Sequence, residues 1–424
     1  MRTADLEALR KAAGDAALEE HAPVDVDGVA LGVTLRPAGG DALARAVRVL
    51  AERRLAAVLR GGGSKLAFGN RPDGAELLLS TSALSGVVEL DAEEGVLRAR
   101  SGTRLAELRE ALRETGWELP FDPPGAHATL GGTLAAAAVG PRHLGFGRPR
   151  DLVLGLDAVL GDGVRARCGG RVVKNVTGYD LMKLQIGALG SLGVIESAWI
   201  RLRARPECER VVSAALGARP DAVALGVGAA RLASARAVAL VGAGLAPAVE
   251  PRLAPSTGML LVAELASDEA TVARDVAGLV AEAGAVEASP GAIARLRALQ
   301  GETFGPVGLR FRLAVLPDRL AAVSTALEEA GAALLLHPGS GLVFARYALE
   351  PEVDAAGIDR VWSAVRRAAR AGGGHAVLEA APAWAKPVRD VFDDPSEAMA
   401  LMRALKQRFD PARVLNPGRF AGGL

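Results

Sequence analysis

Three stretches of this sequence combine glycine with hydroxyl or cationic side chains in a way that suits a phosphate-bearing ligand. The first is Arg60-Gly61-Gly62-Gly63-Ser64-Lys65, directly after the apolar run 56–59. Consecutive glycines admit backbone conformations that other residues resist and remove side chains that would bar close approach. Their N–H groups can then converge on an anion, with Ser64 adding a hydroxyl and Lys65 a charge. The spacing is neither that of a Walker loop nor that of a Rossmann turn opening a helix. Taken alone, the segment also reads as a plain turn. The second stretch is Pro123-Pro124-Gly125-Ala126-His127-Ala128-Thr129-Leu130-Gly131-Gly132-Thr133. Its glycine pair exposes backbone donors, Thr129 and Thr133 bring hydroxyls, and the alanines at 135–138 let a flat ring lie against the backbone. A tightly packed helix start is the alternative. The third joins the polar cluster Lys174-Asn175-Val176-Thr177-Gly178-Tyr179-Asp180 to the turn Gly187-Ala188-Leu189-Gly190-Ser191-Leu192-Gly193, which enters the apolar pair Val194-Ile195. Backbone groups at such a turn can bond an adenine or a diphosphate. Lys174 or Asp180 singly reads equally well as a surface charge or a helix cap.

The elements that must hold these segments are legible in outline. An amphipathic helix is expected over 3–20, a strand over 33–35 and a helix over 41–52 capped by Asp41. The strand 56–59 runs straight into the triple glycine. Strands follow at 77–80, 87–90, 96–100, 152–160, 172–173 and 194–202, with helices over 103–114 and 179–186. After Arg205-Pro206 the texture changes, and 207–300 is rich in Ala, Arg and Val but poor in marked motifs. Beyond it, strand 307–316, helix 318–330, strands 333–336 and 342–347, helix 355–371 and strand 376–379 give the order βαββαβ, a ferredoxin-like layer. A last helix runs from 395 to about 409. The fold class expected is α+β, with no internal repeat of fixed short period.

Composition narrows the function. A chain of 424 residues suggests two or three domains, and half of it is hydrophobic. A net charge of +1 gives no electrostatic case for nucleic acid. Apolar runs such as 222–230 fall well short of the ~20 residues of a membrane span. The N-terminus lacks an apolar signal core, so the expected location is the cytoplasm, with membrane association only through partners. Two cysteines, Cys168 and Cys208, exclude a disulfide framework and a four-cysteine zinc or iron–sulfur site. His21, His127, His143, His337 and His375 lack metal-ligand spacing, so no metal is expected. His337 reads as a turn or packing residue and His143 as a surface-loop residue, a ligand-facing position being the alternative for the latter. Basic residues are nearly all Arg; Lys stands only at 11, 65, 174, 183, 386 and 406, and Asn only at 70, 175 and 416. Tyr stands only at 179 and 347. Against that bias, Lys65, Asn70, Lys174, Asn175, Tyr179, Lys183 and Asn416 mark positions where replacement is costly; all but Asn416, which lies near the C-terminus, fall on or beside the segments above.

In order and spacing these segments resemble the PCMH-type FAD-binding domain of the vanillyl-alcohol-oxidase family, over about residues 30–205 and again over 409–419. Gly140-Pro141-Arg142, the stretch 147–155, the stretch 173–181 and the ending 409–420 look most like FAD-binding subunits of glycolate oxidases. The resemblance implies a PCMH-type FAD-binding domain of two α/β subdomains over 1–205, a ferredoxin-like α+β cap over 206–394, and a tail over 395–424 returning to the first domain. It implies that Arg60, Gly61, Gly62, Gly63, Ser64 and Lys65 grip the FAD diphosphate. Pro124, Gly125, Thr129, Leu130, Gly131, Gly132 and Thr133 would line the diphosphate and flavin path, and Gly140 and Gly178 belong to the same cofactor set. Gly190, Gly193, Val194 and Ile195 would meet the adenosine, and Asn416 would lie near the isoalloxazine. Relatives that bind FAD covalently carry a His in the glycine loop; here the loop is Gly62-Gly63-Ser64, so non-covalent FAD is expected. The implied partners are a catalytic flavin subunit and an iron–sulfur subunit of a glycolate oxidase complex, and the implied substrate is a small 2-hydroxy acid.

One departure bears on mechanism. Many relatives that oxidise 2-hydroxy acids carry H-x-G-D-G-N-x-H in the cap. The counterpart here is His337-Pro338-Gly339-Ser340-Gly341-Leu342-Val343-Phe344, without the Asp, the Asn and the second His. The general base and the carboxylate-binding arginine are therefore unassigned. Two other readings stay open: a self-sufficient FAD dehydrogenase of another 2-hydroxy acid such as D-lactate, and a non-catalytic scaffold.

Overall fold

The structure is a computed structural model that describes residues 1–171, 180–301, 308–350, 352–386, 390–393 and 397–424. The first helix, Thr3–Ala13, stops earlier than the periodicity suggests. Gly14, at φ +102°, turns the chain out of it, and a strand, Leu18–Val26, occupies what the sequence presented as helix. Asp27 and Gly28, both at positive φ, then reverse the chain into Val29–Leu35, the geometry of a two-residue hairpin turn. Helix Gly40–Arg53 lays Leu43, Ala46, Val47 and Leu50 into the core at helical spacing. Strands Ala75–Ser80 and Ala56–Arg60 complete a four-stranded sheet by parallel pairing.

Strand Ala56–Arg60 lies at the edge of that sheet, and the far end of the chain covers it. The Ala57 N–H donates to the Val414 carbonyl at 2.8 Å, and the Asn416 N–H to the Ala57 carbonyl at 2.9 Å. Val414 and Leu415 are buried in the same core as Leu35, Leu43 and Leu77. An edge that would otherwise expose unpaired backbone is thereby closed.

The second sheet is antiparallel, in the order Val87–Asp91, Val96–Arg100, Gly193–Arg201, Val153–Leu160, Arg165–Gly169. Helix Leu105–Ala111 and the short helix Leu130–Ala135 pack into its core. The strand expected at 172–173 lies outside the described residues. Of the helix expected over 179–186, the structure shows Met182–Gln185.

The third sheet has eight strands and corrects the reading of 207–300. Residues 308–380 form the expected βαββαβ unit. The motif-poor stretch before it has the same order: strand Cys208–Gly217, helix Ala222–Ala229, strands Ala235–Gly242 and Met259–Ser267, helix Glu269–Ala283, strand Val286–Glu287. In each unit the strands lie fourth, first, third, second, and the two units join through their second strands, Leu240 opposite Leu336 and Val241 opposite Leu335. The sheet is thus a tandem of two ferredoxin-like units about a local two-fold. The first escaped notice because its central strands are buried on both faces and show no alternation of polar and apolar residues. Helices from both units cover one face, where Phe311 stacks on Trp362 at 5.1 Å. Helices Ala246–Val249 and Ala292–Gly301 cover part of the other, and what they leave bare meets the first two sheets.

Candidate functional site

The triple-glycine loop leaves the C-terminal end of strand Ala56–Arg60 and forms one wall of a cleft of about 890 Å³, counting its open mouth. Arg60 through Lys65, Pro124, Thr129, Gly131, Gly132, Thr133, Gly190, Gly193, Val194, Ile195 and Asn416 all line it, so segments as far apart in sequence as Leu59 and Asn416, 357 residues, meet there. Three of the expected residues are not on its wall. Gly125 packs behind Ser64, whose Cβ lies 2.6 Å from where a Gly125 side chain would begin. Leu130 is buried in the core of the second sheet. Gly140 abuts the backbone of Asp122. Gly178, with the cluster 174–177, lies outside the described residues. Sequence reasoning missed Ser101, Thr81, Phe68 and Arg419, which also line the cleft.

The glycines earn their place by contact. A Cβ on Gly62 would overlap the His127 carbonyl, and Gly63 sits at φ +81°. The first two segments therefore lie back to back, at a distance only glycine allows. The hydroxyls expected to face a ligand are occupied locally. Thr129 caps helix Leu130–Ala135 by accepting from the Gly132 N–H, and Thr133 donates to the Thr129 carbonyl at 2.8 Å. Asn416, at φ +47°, is a tie between two walls: its Oδ1 accepts from the Leu59 N–H at 2.8 Å and its Nδ2 donates to the Leu189 carbonyl at 2.5 Å.

The loop that continues past Lys65 is clamped from outside by buried charges. Lys386 donates to Asp27 at 2.6 Å, to the Ala67 carbonyl at 2.5 Å and to the Gly69 carbonyl at 3.3 Å. Burial pushes its ammonium pKa down, and Asp27 works against that. Arg419 donates to the carbonyls of Leu66 and Phe68, both at 2.6 Å. Asn70 ties the loop to Asp390 and to the Phe420 carbonyl.

The eight-stranded sheet meets the first two sheets at two charged patches. At one, buried Glu264 takes two hydrogen bonds from Arg142, at 2.7 and 2.8 Å, and one from Arg236 at 3.0 Å. Burial alone would raise its carboxyl, but the two guanidiniums outweigh that and hold it low. Arg236 also pairs with Glu118 and Glu209. At the other, beside the cleft, Glu379 faces Lys65 at 3.5 Å, Arg310 at 3.4 Å and Arg312 at 2.7 Å. Burial opposes its ionisation, yet Lys65, Arg312 and Arg310 bring it down to about 2. Among the described residues, acids outnumber bases in the first patch, whereas the second sets three cations around one carboxylate.

His143 is neither on a surface loop nor on the cleft wall. It is buried, its Nδ1 is 2.7 Å from the Gly140 carbonyl and its Nε2 is 2.6 Å from Ser340 Oγ on the eight-stranded sheet side. It packs edge-on against His337, whose pKa burial and the neighbouring imidazole depress to about 3. Both are neutral joint residues between the sheets.

A strand–loop cradle of glycine backbone, shared by two sheets and completed by a returning tail, defines a nucleotide-type cofactor site, and comparison with known proteins says which. Residues 32–169 match the FAD binding domain family, and residues 393–420 match the C-terminal domain of FAD linked oxidases. The chain carries a PCMH-type FAD-binding domain, and its cofactor is FAD. It is 41% identical over 151 residues to glycolate oxidase subunit GlcE of Escherichia coli K12. It is 35% identical over 170 residues to a D-lactate dehydrogenase of Archaeoglobus fulgidus and 36% over 181 to mitochondrial D-2-hydroxyglutarate dehydrogenase of Danio rerio. These matches take in 35, 40 and 42% of this chain and only 43, 38 and 34% of the relatives. The fold is shared across nearly the whole chain with p-cresol methylhydroxylase, at a TM-score of 0.71, 14% identity and coverage of 98% of this chain and 96% of that one. Alkyldihydroxyacetonephosphate synthase gives 0.70, 13%, 99% and 86%.

The residues present fit that cofactor. The walls are glycine and alanine backbone at the depth where a diphosphate and a flat ring need close approach. Lys65 supplies charge at one end, and the Ser101 hydroxyl on the wall has no hydrogen-bond partner in the protein. No helix among the described residues is long and apolar enough to cross a membrane.

Proposed function

We propose that this chain is the FAD-binding subunit of a glycolate or related 2-hydroxy-acid oxidoreductase complex. The observation that carries the reading is the single cleft that gathers Arg60–Lys65, 129–133, 190–195 and Asn416 within a chain matching FAD domains of 2-hydroxy-acid oxidoreductases. FAD, when bound, supplies the hydride acceptor. The chain's own residues have narrower tasks. Arg60 and Lys65 offset the diphosphate charge, the glycine segments let it approach the backbone, and Asn416 fixes the spacing of the opposed walls. The cluster of Lys65, Arg310 and Arg312 around Glu379 favours an anionic substrate, because cations in excess of acids, one buried and two half-buried, are stabilised by a carboxylate brought to them. No His, Asp or Glu is among the described residues of the cleft wall. That favours the subunit reading, in which a partner supplies the base for the substrate hydroxyl.

The cation cluster also favours a second reading, a dehydrogenase that handles its 2-hydroxy acid alone. One experiment separates the two. The purified chain is expected to carry about one equivalent of FAD, released by acid because it is not covalently bound. Anaerobic glycolate or D-lactate is expected to leave it oxidised until the co-purifying flavin and iron–sulfur subunits are added. Bleaching by the chain alone would establish the second reading, and a flavin-free chain that still restores the complex would make it a scaffold.

A further inference from the structure

Among the described residues of the cleft wall, Ser101 alone has a buried side-chain polar atom with no hydrogen-bond partner. It follows strand Val96–Arg100, and its backbone is held from both sides. Its N–H donates to the Glu196 carbonyl at 2.9 Å, and its carbonyl accepts from the Gly131 N–H at 2.7 Å. A side chain on Gly131 would begin 2.5 Å from Ser101 Cβ, so the glycine pair at 131–132 is what lets the two segments touch. The hydroxyl is thus fixed directly beneath the glycine backbone of the cleft, in a residue with 0% exposure.

Neighbouring hydroxyls show that a local partner would be easy to find. Thr103, in the same turn, donates to the Arg100 carbonyl at 2.8 Å and accepts from the Gly86 N–H at 2.9 Å. Ser191 donates to the Ala188 carbonyl at 2.8 Å, and Ser80 to Ser82 at 3.0 Å. An alanine would fill the Ser101 site without the penalty of a desolvated, unpaired hydroxyl. We infer that Ser101 is a positioning residue for FAD, its hydroxyl completing its hydrogen bonding on the bound dinucleotide. The inference rests on the reading of the cleft as the FAD site. A hydroxyl can serve as donor or acceptor there, so it suits a phosphate oxygen, a ribose hydroxyl or a ring nitrogen alike.

The test uses the full-length chain with FAD as the probe. Binding is followed by quenching of flavin fluorescence, and thermal unfolding is measured on the same protein after the flavin is stripped. Ser101→Ala is expected to weaken FAD binding roughly three- to thirtyfold. It is expected to leave the midpoint of the stripped protein unchanged or higher, because the substitution removes an unpaired polar group. Ser101→Cys, similar in size but a weak donor, is expected to fall between. Unchanged FAD affinity in Ser101→Ala would overturn the inference. So would weaker binding with a lowered midpoint of the stripped protein, which would make the hydroxyl part of the fold. Failure of the wild-type chain to bind FAD would instead remove the reading of the cleft on which the inference stands.

Discussion

Two residues near the cleft make expectations that single substitutions can check. At Gly62, the overlap of any Cβ with the His127 carbonyl means that Gly62→Ala must push two wall segments apart. Overpacking of this kind costs about 1–3 kcal/mol, and the variant is expected to purify with little flavin, read from its visible spectrum. Asp122 is buried beneath the same region, and burial raises its carboxyl from 3.8 to about 6 against the pull of the Arg142 N–H and guanidinium. With its value raised, the folded state holds the proton more tightly than the unfolded chain does. Nothing is lost below about pH 3.8, stability falls as pH rises from there through about 6, and above that it stays lower by about 3 kcal/mol. Asp122→Asn is therefore expected to have a higher urea midpoint than wild type at pH 7 and an equal one at pH 3.5. Such residues are hard to find in a sequence because nothing local distinguishes them: Asp122 and Ser101 owe their states to segments that arrive from elsewhere. The glycine loops were legible because their chemistry is local, residing in the backbone freedom of Gly61–Gly63.

The elements that hold the cleft are tied by the rare residue types. Asn416 spans Leu59 and Leu189, and Lys406 satisfies the Ser191 and Leu415 carbonyls at 2.8 and 2.9 Å while pairing with Asp410 at 2.7 Å. Asn416→Ala takes the partner from the part-buried Leu59 N–H and Leu189 carbonyl, at a cost of about 1–3 kcal/mol. A lowered unfolding midpoint together with faster flavin loss on dilution is the expected result. The scarcity of Lys and Asn pointed toward Lys65, Asn70 and Asn416, and it extends to Lys386 and Lys406, which no motif marked. Lys65, Asn70, Lys386 and Asn416 each have a partner hundreds of residues away, and Lys406 has one in Ser191, so composition could show that they mattered but not what they do. Element boundaries were less legible. The early end of the first helix turned on one glycine, Gly14, and the hairpin behind it on Asp27-Gly28.

At the scale of the molecule, the tandem sheet docks on the FAD half through the Arg142–Glu264–Arg236 patch, and this joint is expected to be the mechanical link between them. Glu264→Gln removes the carboxylate that half-buried Arg142 and buried Arg236 share, leaving Arg236 with Glu118 and Glu209, a change worth about 1.5–3 kcal/mol. Calorimetry is expected to show the single unfolding transition split in two, the FAD half and the sheet melting separately. The second unit of that sheet was legible because its strands and helices alternate cleanly between 308 and 380. The first was not, because Ala-rich strands sandwiched between two layers look alike on both faces.

The returning tail has a consequence for the order in which the cleft assembles. The strand that delivers the glycine loop and the segment that closes its edge are far apart in sequence, Leu59 and its tie Asn416 being 357 residues from one another. Contacts of such long range form only after the large loop between them has closed, and that closure is slow. The glycine loop can take its turn early, from its own residues, while the wall opposite arrives with the last long-range docking. Cofactor loading is then expected as a late event in folding, after the tail has reached the first sheet.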